Sequence, residues 1–191
     1  MMPDWTATRS RGAEMRILRA LLLPLLLLLA AAEAPAQAPP PGFRGEFLRQ
    51  FNNSMQKFVE LAEAMPEDRY GWSPAEGVMP VARVYAHVAR YNYYYPATSL
   101  GLPAPDSLDA ESAEQTVAKA DVVALLRHSR EHVRQAVGGM TDEQLAAPTR
   151  LYGRDVPQWA VLLQLLAHMN EHLGQSIAYA RMNGVVPPWS Q

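Results

Sequence analysis

The 191-residue chain contains no cysteine. That excludes disulfides, thiolate metal ligands, a thiol nucleophile and lipid attachment through a cysteine behind a leader. A G-x-S-x-G elbow and a glycine-rich phosphate loop are also missing, which removes two common hydrolase and nucleotide-binding signatures. The apolar run from Ala20 to Ala32 is 13 residues long and contains Pro24, whereas a spanning helix needs about 20 apolar residues. No segment alternates apolar and polar residues in the manner of a strand. Nor is there a basic surplus: 17 Lys and Arg stand against 19 Asp and Glu, so the charge balance does not suit nucleic acid.

What is present begins with a leader. Arg16 and Arg19, the leucine-rich run and the alanines that follow have the order of a secretory signal peptide. Ala34-Pro35-Ala36 and Ala36-Gln37-Ala38 both fit the cleavage pattern, with cleavage after Ala36 expected and Met15 as an alternative start. No adjacent arginine pair precedes the run, which favours the general secretory route over the twin-arginine one. The expected product is a bacterial, periplasmic or secreted protein without a stable membrane anchor. Loss of residues 1–36 removes four arginines and three acids, leaving 13 basic and 16 acidic residues and a net charge of −3. About 150 mature residues suffice for one domain with a full core.

After a Pro-rich lead-in at residues 37–42, helical spacing recurs four times. Phe43–Met65 carries Phe47, Phe51, Phe58 and Leu61 on one face, and Pro66 stops it. A turn-rich aromatic loop with Tyr70, Trp72 and Gly77 leads to a helix over Val81–Ser99. The third helix is expected over Ala113–Val137, ended by Gly138-Gly139; Thr141 to Gln144 then suits a capped helical turn. Pro148–Pro157 reads as a crossing loop with a tight turn at Tyr152-Gly153. The fourth helix is expected over Gln158–Met182, with Asn183-Gly184 as its cap. The fold class is therefore all-α, a four-helix bundle with at least one long crossover, spanning residues 43–189.

Chemistry concentrates in histidine. His168 and His172 are one turn apart and project from one helix face among Val161, Leu165 and Tyr179. Two such imidazoles can share a metal ion, and a third from a neighbouring helix would complete a three-nitrogen site with open positions. His87, beside Val84, Tyr91 and Tyr94, is the candidate third. The alternative is that all three are core-edge histidines bonded to backbone or water. His128 and His132 have the same spacing among Arg127, Arg130, Glu131 and Arg134; that is expected to be a solvated face and is left out of the site. Among the tyrosines after His87, one or two are candidates to line a pocket; the alternative is that they pack the bundle end against the Trp72 loop. His168 to His172 also matches the H-x-x-E-H pattern of inverted zinc peptidases. The 19 residues after His172 hold no acid to complete such a site.

Three stretches together resemble the DinB/YfiT-like family of metal-dependent four-helix-bundle proteins. They are Tyr70-Gly71-Trp72-Ser73-Pro74 leading into Tyr85-Ala86-His87-Val88, then Leu166-Ala167-His168-Met169-Asn170-Glu171-His172-Leu173-Gly174-Gln175, then Met182-Asn183-Gly184-Val185-Val186-Pro187-Pro188-Trp189. The resemblance implies metal ligation by His87, His168 and His172, with zinc, nickel, iron or manganese as the ion. It also implies an unusual connectivity, often a homodimer, and an unknown small-molecule substrate. Some relatives act with low-molecular-weight thiols, from which the export signal separates this chain because those thiol pools are chiefly cytosolic. The expected function is an exported metal-dependent hydrolase or transferase, the alternative a non-catalytic metal- or ligand-binding bundle. Glu171 and Tyr91 are the candidate catalytic groups, and Glu171 and Gln175 the candidates to support the ligands.

Overall fold

The computed structural model describes residues 41–105 and 110–190. The expected leader and its cleavage site lie outside the described residues. Among those described, no helix is long and apolar enough to cross a membrane.

Helix α1, Phe43–Ala64, buries Phe47, Phe51, Met55, Phe58 and Leu61, the apolar face that the spacing predicts. Its last carbonyls lack intrahelical partners, and Lys119 Nζ reaches two of the terminal ones, Glu63 O at 2.8 Å and Met65 O at 2.7 Å. A cation placed there also suits the negative end of the helix dipole. Helix α2, Val81–Ser99, begins where the aromatic loop supplies acceptors: Val81 N–H donates to Trp72 O and Ala82 N–H to Tyr70 O. Tyr70 in turn donates from its hydroxyl to Ala62 O at 2.7 Å, which ties the loop to α1.

The expected third helix is divided. A single turn, α3 (Ala110–Ala113), is followed by a break, and α4 runs from Lys119 to Gly138. Gln115 and Thr116 close tight turns onto Ser112 O and Ala113 O. Ala118 is extended, and the adjacent β-branched Thr116 and Val117 favour that departure from helix. The short helix α5, Asp142–Ala146, carries the capping box that Thr141 and Gln144 suggest.

The stretch expected to be a plain crossing loop contains a hairpin. Strand β1, Pro148–Leu151, pairs antiparallel with β2, Arg154–Pro157. Each strand is only four residues, too short for period-two alternation to show, and a proline sits at each outer end. The turn itself is legible: Tyr152 and Gly153 both adopt positive φ, 51° and 77°, as a two-residue hairpin requires. Helix α6, Gln158–Met182, ends as its sequence indicates. Gly184 takes φ 75°, its N–H bonds Arg181 O, and the Val185 N–H bonds Ala180 O, the paired closure of a Schellman cap.

Helices α1 and α2 each pack principally against α4 and α6. The two members of each pair are therefore diagonal across the bundle, although α1 and α2 are consecutive in sequence. The connections at 65–80 and 139–157 make the crossings. Diagonal helices meet only through large side chains in the centre, as Phe58 and Tyr85 do edge to face at 6.3 Å. The fully buried Asn92 of α2 donates to Ser129 Oγ of α4 at 3.0 Å and to Met55 Sδ of α1 at 3.4 Å. The layout leaves α2 beside α6, so histidines on these two helices can converge.

Candidate metal centre

His87 on α2 and His168 and His172 on α6 face one another across that seam. One ring nitrogen from each lies within 4.8 Å of the other two. His87 Nε2 and His168 Nε2 are 3.2 Å apart. The ring centroids are separated by 5.1 Å for His87–His168, 4.8 Å for His87–His172 and 4.7 Å for His168–His172. The i, i+4 spacing on α6 supplies two of the rings, and the helix order supplies the third.

What the outer nitrogens do decides which way the lone pairs point. The Nδ1–H of His172 donates to Gln175 Oε1 at 2.8 Å. Gln175 Nε2 then donates to Tyr179 Oη at 2.9 Å, and Tyr179 donates to Met79 O at 3.3 Å. The chain ends on a backbone carbonyl, which can only accept, so its polarity runs outward from His172 and leaves Nε2 with a free pair. His87 is oriented similarly by a carboxylate: its Nδ1–H donates to Glu114 Oε1 at 3.2 Å. His168 differs, since its Nδ1 is buried without a hydrogen-bond partner.

Burial disfavours the charged forms of His168 and His87. It pushes His168 down to about 4, with the neighbouring His172 and His87 adding to the effect. Burial also lowers His87, against the opposing influence of Glu114. Burial of Glu114 opposes its ionisation, but the His87 hydrogen bond and the Arg83 and Arg90 guanidiniums outweigh it and hold the carboxyl below its ordinary range. Neutral imidazoles with converging lone pairs are what a borderline divalent cation needs. Tetrahedral bonds of 2.0–2.1 Å would set ligand nitrogens about 3.3 Å apart. The 3.2 Å His87–His168 spacing fits that value, and a ring nitrogen of His172 lies within 4.8 Å of both.

The remaining candidates separate. Tyr91 is at the centre, its ring centroid 4.6 Å from that of His87 and 4.3 Å from that of His168. Gln175 bonds a triad member, as expected. Glu171 is exposed, because one residue before His172 turns the side chain about 100° away from its ring. His128 is on the solvated face, but His132 is not. Its ring is half-buried against Tyr93 at 4.9 Å, its Nε2 is buried without a partner, and desolvation lowers its pKa. The tyrosine run thus divides its work, with Tyr91 facing the triad, Tyr93 facing His132 and Tyr95 bonding Tyr152 of the hairpin. Trp72 packs edge to face on Tyr179 at 5.4 Å, against the outward chain from His172.

Sequence reading missed Glu114, because residues 113–137 were expected to form one helix with Glu114 inside its first turn. A signal exists in α2: Arg83, His87 and Arg90 share one face at i, i+4, i+7 spacing. Two cations flanking a half-buried imidazole call for an acid from another element.

Residues 50–180 match the family model of the DinB superfamily. Similar solved structures include a DinB-like protein from Bacillus cereus, 19% identical, with a TM-score of 0.66 over 74% of this chain and 93% of that one. The DinB-like protein YjoA from Bacillus subtilis is 24% identical, with a TM-score of 0.59 over 74% and 93% of the two chains. YfiT from Bacillus subtilis, described as a probable metal-dependent hydrolase with an unusual four-helix bundle topology, is 16% identical, with a TM-score of 0.62 over 78% and 93%. No curated protein matches the chain.

Proposed function

The chain belongs to the DinB superfamily, and from that premise we propose that it is an exported metal-dependent enzyme of hydrolase or transferase type. His87, His168 and His172 hold one divalent cation, with zinc, nickel, iron and manganese all suited to imidazole. The observation that carries this reading is the convergence of three ring nitrogens within 4.8 Å, two of them on rings whose outer nitrogens are already engaged. The description of YfiT as a probable metal-dependent hydrolase supports it. A bound cation would supply Lewis acidity and lower the pKa of a coordinated water toward neutrality. The protein's part is to keep His87 and His168 neutral, fix the orientation of His87 and His172 through their outer nitrogens, and line the centre with the Tyr91 ring.

The position of the acids favours a second reading. Glu114 bonds the outer nitrogen of His87, and the candidate Glu171 is exposed, so neither carboxylate stands at the converging nitrogens. Proton transfer would fall to Tyr91 or to coordinated water, and a bundle that only binds a metal or a small ligand has the same layout. Metal-loaded wild type and His172→Ala assayed across ester, amide and thiol-transfer panels separate the two. Turnover that the substitution abolishes supports the enzyme, and inertness of a fully loaded protein supports the carrier. For export, the full chain expressed in a bacterial host is expected outside the cytoplasm with Gln37 as its first residue. Cytoplasmic protein with an intact leader would contradict it.

A further inference from the structure

We infer that Glu114 is a positioning residue for the metal centre, and that the break between α3 and α4 exists to deliver it. This inference rests on the three-histidine reading above. Glu114 occupies the turn immediately after α3. The side chain is 14% exposed, and three groups from α2 converge on its two oxygens. His87 Nδ1 lies 3.2 Å from Oε1, Arg83 Nε 3.4 Å from Oε1, and Arg90 Nη1 3.5 Å from Oε2. Arg90 is itself held over the faces of Tyr91 and Tyr94, at 5.3 and 5.6 Å.

The carboxylate is on the opposite side of the His87 ring from His168, so it does not compete for the cation. Its effect passes through the imidazole. An acceptor on Nδ1 fixes the proton there, leaves the Nε2 pair for the metal, raises the basicity of that nitrogen and locks the ring's rotation. Arg83 and Arg90 hold the acceptor in place. Within the triad each ring is served differently: His87 by an anion, His172 by the neutral Gln175–Tyr179 chain, and His168 Nδ1 by no hydrogen-bond partner. Glu114 is therefore the only charged group hydrogen-bonded to the triad among the described residues.

The test compares wild type, Glu114→Gln and Glu114→Ala in two measurements. The first is the affinity for Zn2+, by competition with a chromophoric chelator. Glu114→Ala should weaken binding 10- to 100-fold, and Glu114→Gln, which keeps an oxygen acceptor without the charge, should recover part of that loss. The second needs no metal: 15N chemical shifts of the His87 ring in chelator-treated protein. These should report the Nδ1–H tautomer in wild type and a shift toward Nε2–H in Glu114→Ala. A merely structural Glu114 would lower thermal stability in Glu114→Ala without moving the tautomer, and that result overturns the inference. Equal zinc affinity in all three proteins overturns it as well while leaving the triad intact. Failure of the wild type itself to bind zinc would overturn the three-histidine reading and this inference with it.

Discussion

Acidifying the metal-free protein should destabilise it through its histidines. A neutral imidazole takes up a proton near pH 6.5 once it reaches water. In the folded protein, burial holds His168 down to about 4, and it also lowers His87 and His132. Below pH 6.5 the unfolded chain therefore binds protons that the folded chain refuses, and stability falls with pH. The loss from His168 begins near pH 6.5 and is complete near its folded value of about 4. The full displacement corresponds to about 3 kcal/mol, and partial exposure of the ring reduces that to about 1.5 kcal/mol. Urea denaturation in the presence of a chelator, repeated from pH 7.5 to pH 4, measures it, with His168→Leu as the reference. Surface carboxylates that titrate in this range are common to both proteins and cancel in the difference. The wild type should lose about 1.5 kcal/mol more than the variant across the window. Parallel pH profiles for the two proteins would show that His168 carries no such penalty and would refute the reasoning.

Three further outcomes follow from particular contacts. Ser129→Ala strips the buried Asn92 amide of its oxygen acceptor and should cost about 1–3 kcal/mol, while adding Asn92→Leu should recover most of it; chemical denaturation of the single and double variants checks this. Gly184→Ala should lower stability by about 1 kcal/mol from the left-handed backbone alone, since φ is 75° and a Cβ there meets nothing within 4 Å; thermal melting measures it. Gln175→Leu breaks the chain that orients His172 and should weaken zinc binding about 10-fold with little change in the metal-free melting temperature; chelator competition beside a thermal scan separates the two effects.

Much of the bundle was legible because long amphipathic helices impose a period on the sequence. Val81–Ser99 and Gln158–Met182 are bounded as their caps and breakers indicate, and the Gly184 cap and the Tyr152-Gly153 turn follow from local chemistry. The hairpin was not legible, because four-residue strands hemmed by prolines are too short to carry a pattern and are held by the ends of α2 and α6. The break before Lys119 was missed for a related reason: residues 113–118 have adequate helical spacing, and the non-helical stretch coincides with the contact of Glu114 with residues 24 to 31 positions earlier. Long-range contacts of that kind leave no local trace beyond the two arginines that await the acid. His132 shows the same limit from the other side. Arginines flank it in sequence, yet its own ring turns inward onto Tyr93. The convergence of His87 with His168 and His172 depends on α2 lying beside α6, which the chain order alone does not dictate.

The most direct test of the account is elemental analysis of the full chain as expressed, purified without an affinity tag or chelator, beside His87→Ala/His168→Ala. About one divalent metal per chain in the wild type and none in the double variant is the expected result, with His128→Ala retaining the wild-type content. Negligible metal in all three, persisting after incubation with zinc, nickel, iron and manganese, would contradict the metal centre.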